Sequence, residues 1–301
     1  MSWQARFLSF ALRHTEKRAL ARADDPLEVR ASFERRAPWI FRQPRGVSVT
    51  EAPLGDLSAL WCGDSRAADT ILYFHGGAYI MGSPRTHSAL GARIARDSGT
   101  CLCLPEYRLA PEHAFPAAVD DAVAAWRALR RQRPHGRLIL GGDSAGGGLA
   151  LALLGEIARQ GLPVPDGFFA FSPFTDLTFS GASIQDNATK DSLLPAQRAA
   201  ELGGFYLQGA DPRDPRASPL FADHRQAPPV WLSVAETEIL RDDTLRLAER
   251  LAEQGRYIHL HRMPDLPHAW PLFQGRLPEA ERTLEDLTGW LSGILAPSAG
   301  S

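Results

Sequence analysis

Ser144 stands at the centre of Gly142-Asp143-Ser144-Ala145-Gly146, a G-x-S-x-G spacing. An apolar run, Arg137 to Leu140, precedes it and reads as a buried strand. Leu149, Leu153, Leu154 and Ile157 follow at helical spacing up to Gly161. A strand, one tight turn and a helix leave the middle serine on a sharp elbow, where small neighbours let a substrate approach. The helix end behind it offers unpaired N–H groups and partial positive charge, which suits a developing oxyanion. A serine hydroxyl is a weak nucleophile near neutral pH, so it needs a base to take its proton and an acid to orient that base.

His268 is the candidate base, placed just after the last expected strand and before Ala269 and Trp270. For the acid, Glu236, Glu238, Asp242 and Asp243 are crowded together. Glu238 best fits a strand end aimed across a sheet edge, while Asp242 and Asp243 read as carboxylates favouring a helix N-terminus. His75 and the glycines Gly76 and Gly77, followed by Ala78, come straight after another strand. Backbone N–H groups there can point into a cavity as an oxyanion hole. His113 and His135 read as surface residues. His259 and His261 share a face of one strand, the spacing of a metal pair, but no cysteine or carboxylate cluster completes a site in sequence, so no metal is expected. No cofactor is expected either.

The elements that must position these residues alternate. Strands are expected at 46–51 and 57–61, a hairpin, and then at 70–74, 100–104, 137–140, 167–173, 229–234 and 257–263. Helices are expected at 119–129, from Leu149 to Gly161, and at 195–207, 241–253 and 279–295. This rhythm argues a mostly parallel eight-stranded sheet flanked by helices, with ligands beyond the carboxyl ends of the strands. His75, Ser144, Glu238 and His268 all fall just after a strand. Residues 1 to about 45 read as amphipathic helix and 175 to about 210 as an insertion; together they are expected to form a helical cap on a single domain. Residues 297–301 read as a frayed tail.

The chain has 301 residues, 44% of them hydrophobic, enough for one large α/β domain. A net charge of −2 gives no reason to expect nucleic acid or an anionic membrane as partner. No apolar run is long enough for a membrane span. The first residues lack a secretory h-region, and the three cysteines read as free buried thiols, so a cytoplasmic protein is expected. A homodimer is compatible with the chain. The glycines near Ser144 do not fit G-x-G-x-x-G, and no Lys-Ser or Lys-Thr follows Gly147, which argues against nucleotide binding.

The chain resembles the hormone-sensitive-lipase-like (bacterial family IV) esterases of the α/β-hydrolase superfamily. His75 to Ala78, Tyr107 to Glu112 with Phe115 and Pro116, Gly142 to Gly147, and Pro267 with His268 carry the resemblance, in family order over most of the chain. It implies a serine carboxylesterase with an acyl-enzyme. Ser144 would be the nucleophile, His268 the base, and the N–H groups of Gly77, Ala78 and Ala145 the oxyanion hole. The superfamily order of serine, acid, histidine favours Glu238. The small-molecule substrate would be a short- to medium-chain ester. A lactone hydrolase or an amide deacetylase on the same triad is the alternative, and a non-catalytic receptor on this fold is the remote one, disfavoured because His268 is present. Two departures stand out. Ala78 replaces the family's usual glycine, which is expected to serve if its φ is negative. Glu238 replaces the usual aspartate of a D-P-L-R-D-like run.

Overall fold

Eight strands form one sheet: β1 (Val49–Glu51), β2 (Ala59–Gly63), β3 (Thr70–Phe74), β4 (Cys101–Pro105), β5 (Leu138–Asp143), β6 (Gly167–Phe171), β7 (Val230–Ala235) and β8 (Ile258–Met263). The structure, a computed structural model, describes residues 1–296; the tail expected at 297–301 lies outside the described residues. The strand order is β1-β2-β4-β3-β5-β6-β7-β8. β2 runs antiparallel to both neighbours, and every other pair is parallel.

β3, β4, β5, β6 and β7 are buried at every position, so they read as continuous apolar runs rather than alternating ones. Alternation still decides the packing. Leu72 and Phe74 face a core with Trp126 and Leu149, while Ile71 and Tyr73 face one with Leu90, Leu284 and Leu291. Helices α4 (Pro84–Ser98), α5 (Ala117–Gln132), α6 (Ser144–Gln160), α9 (Arg241–Glu253) and α10 (Pro278–Leu295) supply those two layers. The sequence reading had no element at 84–98. The helix there starts on a capping box between Ser83 and Thr86, with Pro84 in its first turn, and stops at left-handed Gly99. All three cysteines are free and buried.

The amphipathic helical region expected at 1–45 forms three helices, α1 (Trp3–His14), α2 (Glu16–Arg22) and α3 (Pro26–Ile40). The insertion after β6 holds the short α7 (Ser183–Asp186) and α8 (Ala199–Leu207). These two regions are bonded to each other. Arg13 donates to the carbonyls of Thr189 and Lys190, Lys17 to those of Ala188 and Asp191, and Arg198 to those of Ala21 and Ala23. The backbone N–H and hydroxyl of Ser2 donate to the two carboxylate oxygens of Glu279, at 2.5 and 2.8 Å, tying α1 to α10. Among the described residues, no helix is long and apolar enough to cross a membrane.

Candidate active site

The parallel order β3-β5-β6-β7-β8 brings the residues that follow each strand into a row at one sheet edge. His75 follows β3, Ser144 β5, Ser172 β6, Glu238 β7 and His268 β8.

Strand β5 runs three residues beyond the expected end and turns directly into α6 at Ser144. Ser144 has φ 51°, in the left-handed region, a strain of roughly 1–2 kcal/mol for a non-glycine residue. The turn is so tight that a Cβ on Gly146 would lie 2.1 Å from the carbonyl oxygen of Phe74. Only glycine lets α6 start this close to β3. The residue after the serine, Ala145, is fully buried in the first turn of α6.

The glycine loop after β3 is fastened to this elbow by Asp143. Its Oδ1 accepts from the Gly76 N–H at 3.1 Å and from the Tyr73 hydroxyl at 2.8 Å, and its Oδ2 lies 3.4 Å from Nε2 of His87 on α4. Burial pushes the Asp143 carboxyl up, but the His87 and Tyr73 contacts outweigh it and hold the group below its usual range. Gly77 has φ 125° and Ala78 φ 53°. Ala78 therefore does not meet the condition of a negative φ under which alanine was expected to serve: the loop needs a left-handed residue here, and alanine adopts that conformation at a cost of about 1 kcal/mol. His75 is buried against Tyr107, rings stacked 4.4 Å apart, and burial lowers its pKa to about 3, so it is neutral.

His268 lines the pocket and is buried with Glu238. Its Nδ1–H donates to Glu238 Oε2 at 2.6 Å. The other oxygen, Oε1, accepts from the Ser172 hydroxyl at 2.8 Å and the Ala235 N–H at 2.7 Å. Burial alone would lower the His268 pKa; the hydrogen bond to Glu238 and its charge outweigh that and raise it above 6.5. Nε2 of His268 is buried without a protein hydrogen-bond partner. Ser144 and His268 line one cavity of about 160 Å³ with Gly76, Gly77, Ala78 and Asp143. Its remaining wall is largely apolar, with Leu12, Val29, Phe33 and Ile40 from the N-terminal helices and Leu194 and Phe205 from the insertion; Glu16, Arg36 and His87 also line it.

The other carboxylates are occupied elsewhere. Glu236 bonds Arg262 at 2.8 Å. Asp242 and Asp243 do sit in the first turn of α9, as expected, but they serve a neighbouring segment. Asp242 accepts from the Ser183 N–H, and Asp243 from the N–H groups of Thr175 and Asp176. His113 and His135 are exposed. Sequence reasoning missed Ser172, His87 and Asn187, whose Nδ2 donates to the carbonyls of Glu236 and Glu238 and fixes the loop carrying the acid. Ser172 comes directly after β6, but the strand expected at 167–173 covered it.

Residues 71–272 match the family model described as alpha/beta hydrolase fold. An acetyl-hydrolase of Streptomyces hygroscopicus is 38% identical over 244 residues, 80% of this chain and 81% of that protein. An esterase of Acinetobacter venetianus is 33% identical, over 76% of this chain and 77% of its own. The crystal structure of EstE7, a hormone-sensitive-lipase homologue from a metagenome library, superposes with a TM-score of 0.90 at 36% identity, covering 98% and 99% of the two chains. An esterase of the bacterial hormone-sensitive lipase family gives 0.91 at 32% identity, with 98% and 99% coverage. A fold with this sheet order, a serine on a strained elbow and relatives that are esterases over most of their length leads to one conclusion: the chain belongs to the α/β-hydrolase fold family and, within it, is a carboxylesterase of the bacterial hormone-sensitive-lipase group.

Proposed function

We propose that the protein hydrolyses short- to medium-chain carboxylic esters through an acyl-enzyme on Ser144, with His268 as general base and Glu238 as its orienting acid. The observation that carries this reading is the buried His268, held through Nδ1 by Glu238 while its unpaired Nε2 borders the cavity shared with Ser144. Ser144 Oγ attacks the ester carbonyl carbon as His268 Nε2 takes its proton. The N–H groups of Gly77, Ala78 and Ala145 receive the tetrahedral oxyanion. Collapse expels the alcohol, which takes the proton from His268, and leaves Ser144 acylated. Water then attacks with His268 again as base, releasing the carboxylic acid and restoring the serine hydroxyl.

The regions 1–45 and 175–210 act as the cap in this reading. Their apolar side chains make the cavity wall, which accommodates an acyl or alkoxy chain and offers few groups for a polar one. The acetyl-hydrolase name of the Streptomyces relative supports the short end of the range. The test is a hydrolysis screen of p-nitrophenyl esters from acetate to palmitate, with a lactone and an anilide alongside. The expected maximum falls at short to medium chains. A maximum at palmitate, or a lactone or anilide turned over faster than every ester, would overturn the substrate class.

A further inference from the structure

Edge strand β8 and helix α10 meet at a second cluster of ligating side chains, His259, His261 and Asp286. The sequence showed the two histidines but no carboxylate near them; the fold supplies Asp286 from 25 residues further along the chain. His259 Nε2 lies 2.9 Å from Asp286 Oδ1, and His261 Nδ1 lies 3.6 Å from the same oxygen. All three ligand atoms fall within 4.8 Å of one another. A tetrahedral ion about 2.0–2.2 Å from each donor needs them about 3.3–3.6 Å apart, so small side-chain movements suffice.

The surrounding hydrogen bonds orient this set. Thr283 Oγ gives its one proton to the Glu279 carbonyl at 2.9 Å and accepts from the Trp270 indole N–H at 2.9 Å. Its 3.2 Å contact to His261 Nε2 is then also one in which the hydroxyl oxygen accepts. The proton of a neutral His261 therefore sits on Nε2, and the Nδ1 lone pair faces the Asp286 carboxylate. Two acceptors face each other there, an arrangement that a cation between them resolves. The Trp231 indole N–H donates to Asp286 Oδ1 at 2.7 Å, and its ring stacks on both imidazoles. These contacts are the outer partners that fix ring orientation around a metal.

We infer that His259, His261 and Asp286 form a site for a divalent transition metal of the zinc class, separate from the Ser144 cavity. Two imidazoles and one carboxylate suit zinc, nickel or cobalt rather than magnesium or calcium. All three side chains are only half-buried, which leaves the remaining coordination positions open to solvent. The metal would clasp the sheet's edge strand to α10 and take no part in ester hydrolysis.

The test is a zinc chloride titration of chelator-treated full-length protein by calorimetry, with melting temperature read in parallel. The wild type is expected to bind one equivalent at micromolar concentration or tighter and to melt a few degrees higher with zinc. His259→Ala/His261→Ala is expected to lose that binding and that shift while keeping metal-free p-nitrophenyl acetate turnover. Asp286→Asn, which keeps an acceptor for Trp231, is expected to weaken binding at least 10-fold. His259→Ala alone serves if the double variant is unfolded by circular dichroism. Failure of the wild type to bind below millimolar zinc, or zinc bound equally by the histidine variants, overturns the site.

Discussion

The imidazole of His268 and the carboxylate of Glu238 are joined at 2.6 Å in a buried contact, and among the described residues no other carboxylate is hydrogen-bonded to that ring. Glu238→Gln should keep the shape of this contact but lose the charge that stabilises the imidazolium. A loss of roughly 10²- to 10⁴-fold in kcat is expected. Glu236→Gln and Asp242→Asn, made in parallel, should stay within a few fold of wild type, because their partners are Arg262 and the Ser183 and Arg241 pair. A large loss at either of these with a near-normal Glu238→Gln would falsify the assignment of the acid.

The pH dependence follows from the same contact. As the proposed base, His268 must be neutral to accept the serine proton, and its pKa is raised above 6.5 because Glu238 outweighs burial. kcat/KM should therefore rise with pH through a midpoint above 6.5, and Glu238→Gln should move that midpoint down. A profile flat from pH 5 to 8 on a slow substrate rules out His268 as the base.

Ser172 is a positioning residue: its hydroxyl holds the far oxygen of Glu238. Ser172→Ala leaves the Ala235 N–H as the remaining donor to that oxygen. The expected result is a kcat about 10-fold lower at unchanged KM, because the orientation of the base matters most in the transition state. The carboxylate also becomes more basic, so the kcat/KM midpoint should shift up. A KM effect alone would assign Ser172 to substrate contact instead.

At Ala78 the left-handed backbone makes a cheap test. Ala78→Gly relieves strain of about 1 kcal/mol and loses a similar amount in chain entropy. Stability and turnover should both stay close to wild type. By contrast Ala78→Val, β-branched at positive φ, should lower kcat and melting temperature together.

Asp243 sets a pH dependence of stability. Burial, opposed by its backbone donors and reinforced by neighbouring Asp176, raises its pKa from 3.8 to about 7. The folded protein thus binds a proton that the unfolded chain has already released between those values. Its contribution to stability is full below pH 3.8 and is lost as pH rises towards 7. The stability difference between Asp243→Asn and wild type should shift in favour of the variant from pH 5 to 8. Parallel denaturation curves at four pH values measure it, and a difference constant with pH would rule out the raised pKa.

Legibility in the sequence followed the covalent order of the chain. Ser144, Glu238 and His268 could be singled out because each lies in the segment that follows a strand of the parallel set, and a parallel sheet turns that local fact into proximity. Residues acting from the side were hidden. His87 lies in a helix that the strand rhythm passed over, and Asn187 sits in a polar insertion with nothing to mark it. Ser172 differs from other serines only through the carboxylate it meets in the fold. The positive φ of Ala78 was not legible, because side-chain identity constrains a backbone angle only weakly where neighbours impose it. His259 and His261 were seen as a pair, while Asp286 joined them only through the packing of α10 on the sheet.

The bond from Ser2 to Glu279 spans 277 positions of the chain. A contact that closes so long a loop belongs to the whole fold rather than to one local unit. The largely apolar wall over the Ser144 cavity is therefore coupled to the packing of α10 as well as to that of the N-terminal helices.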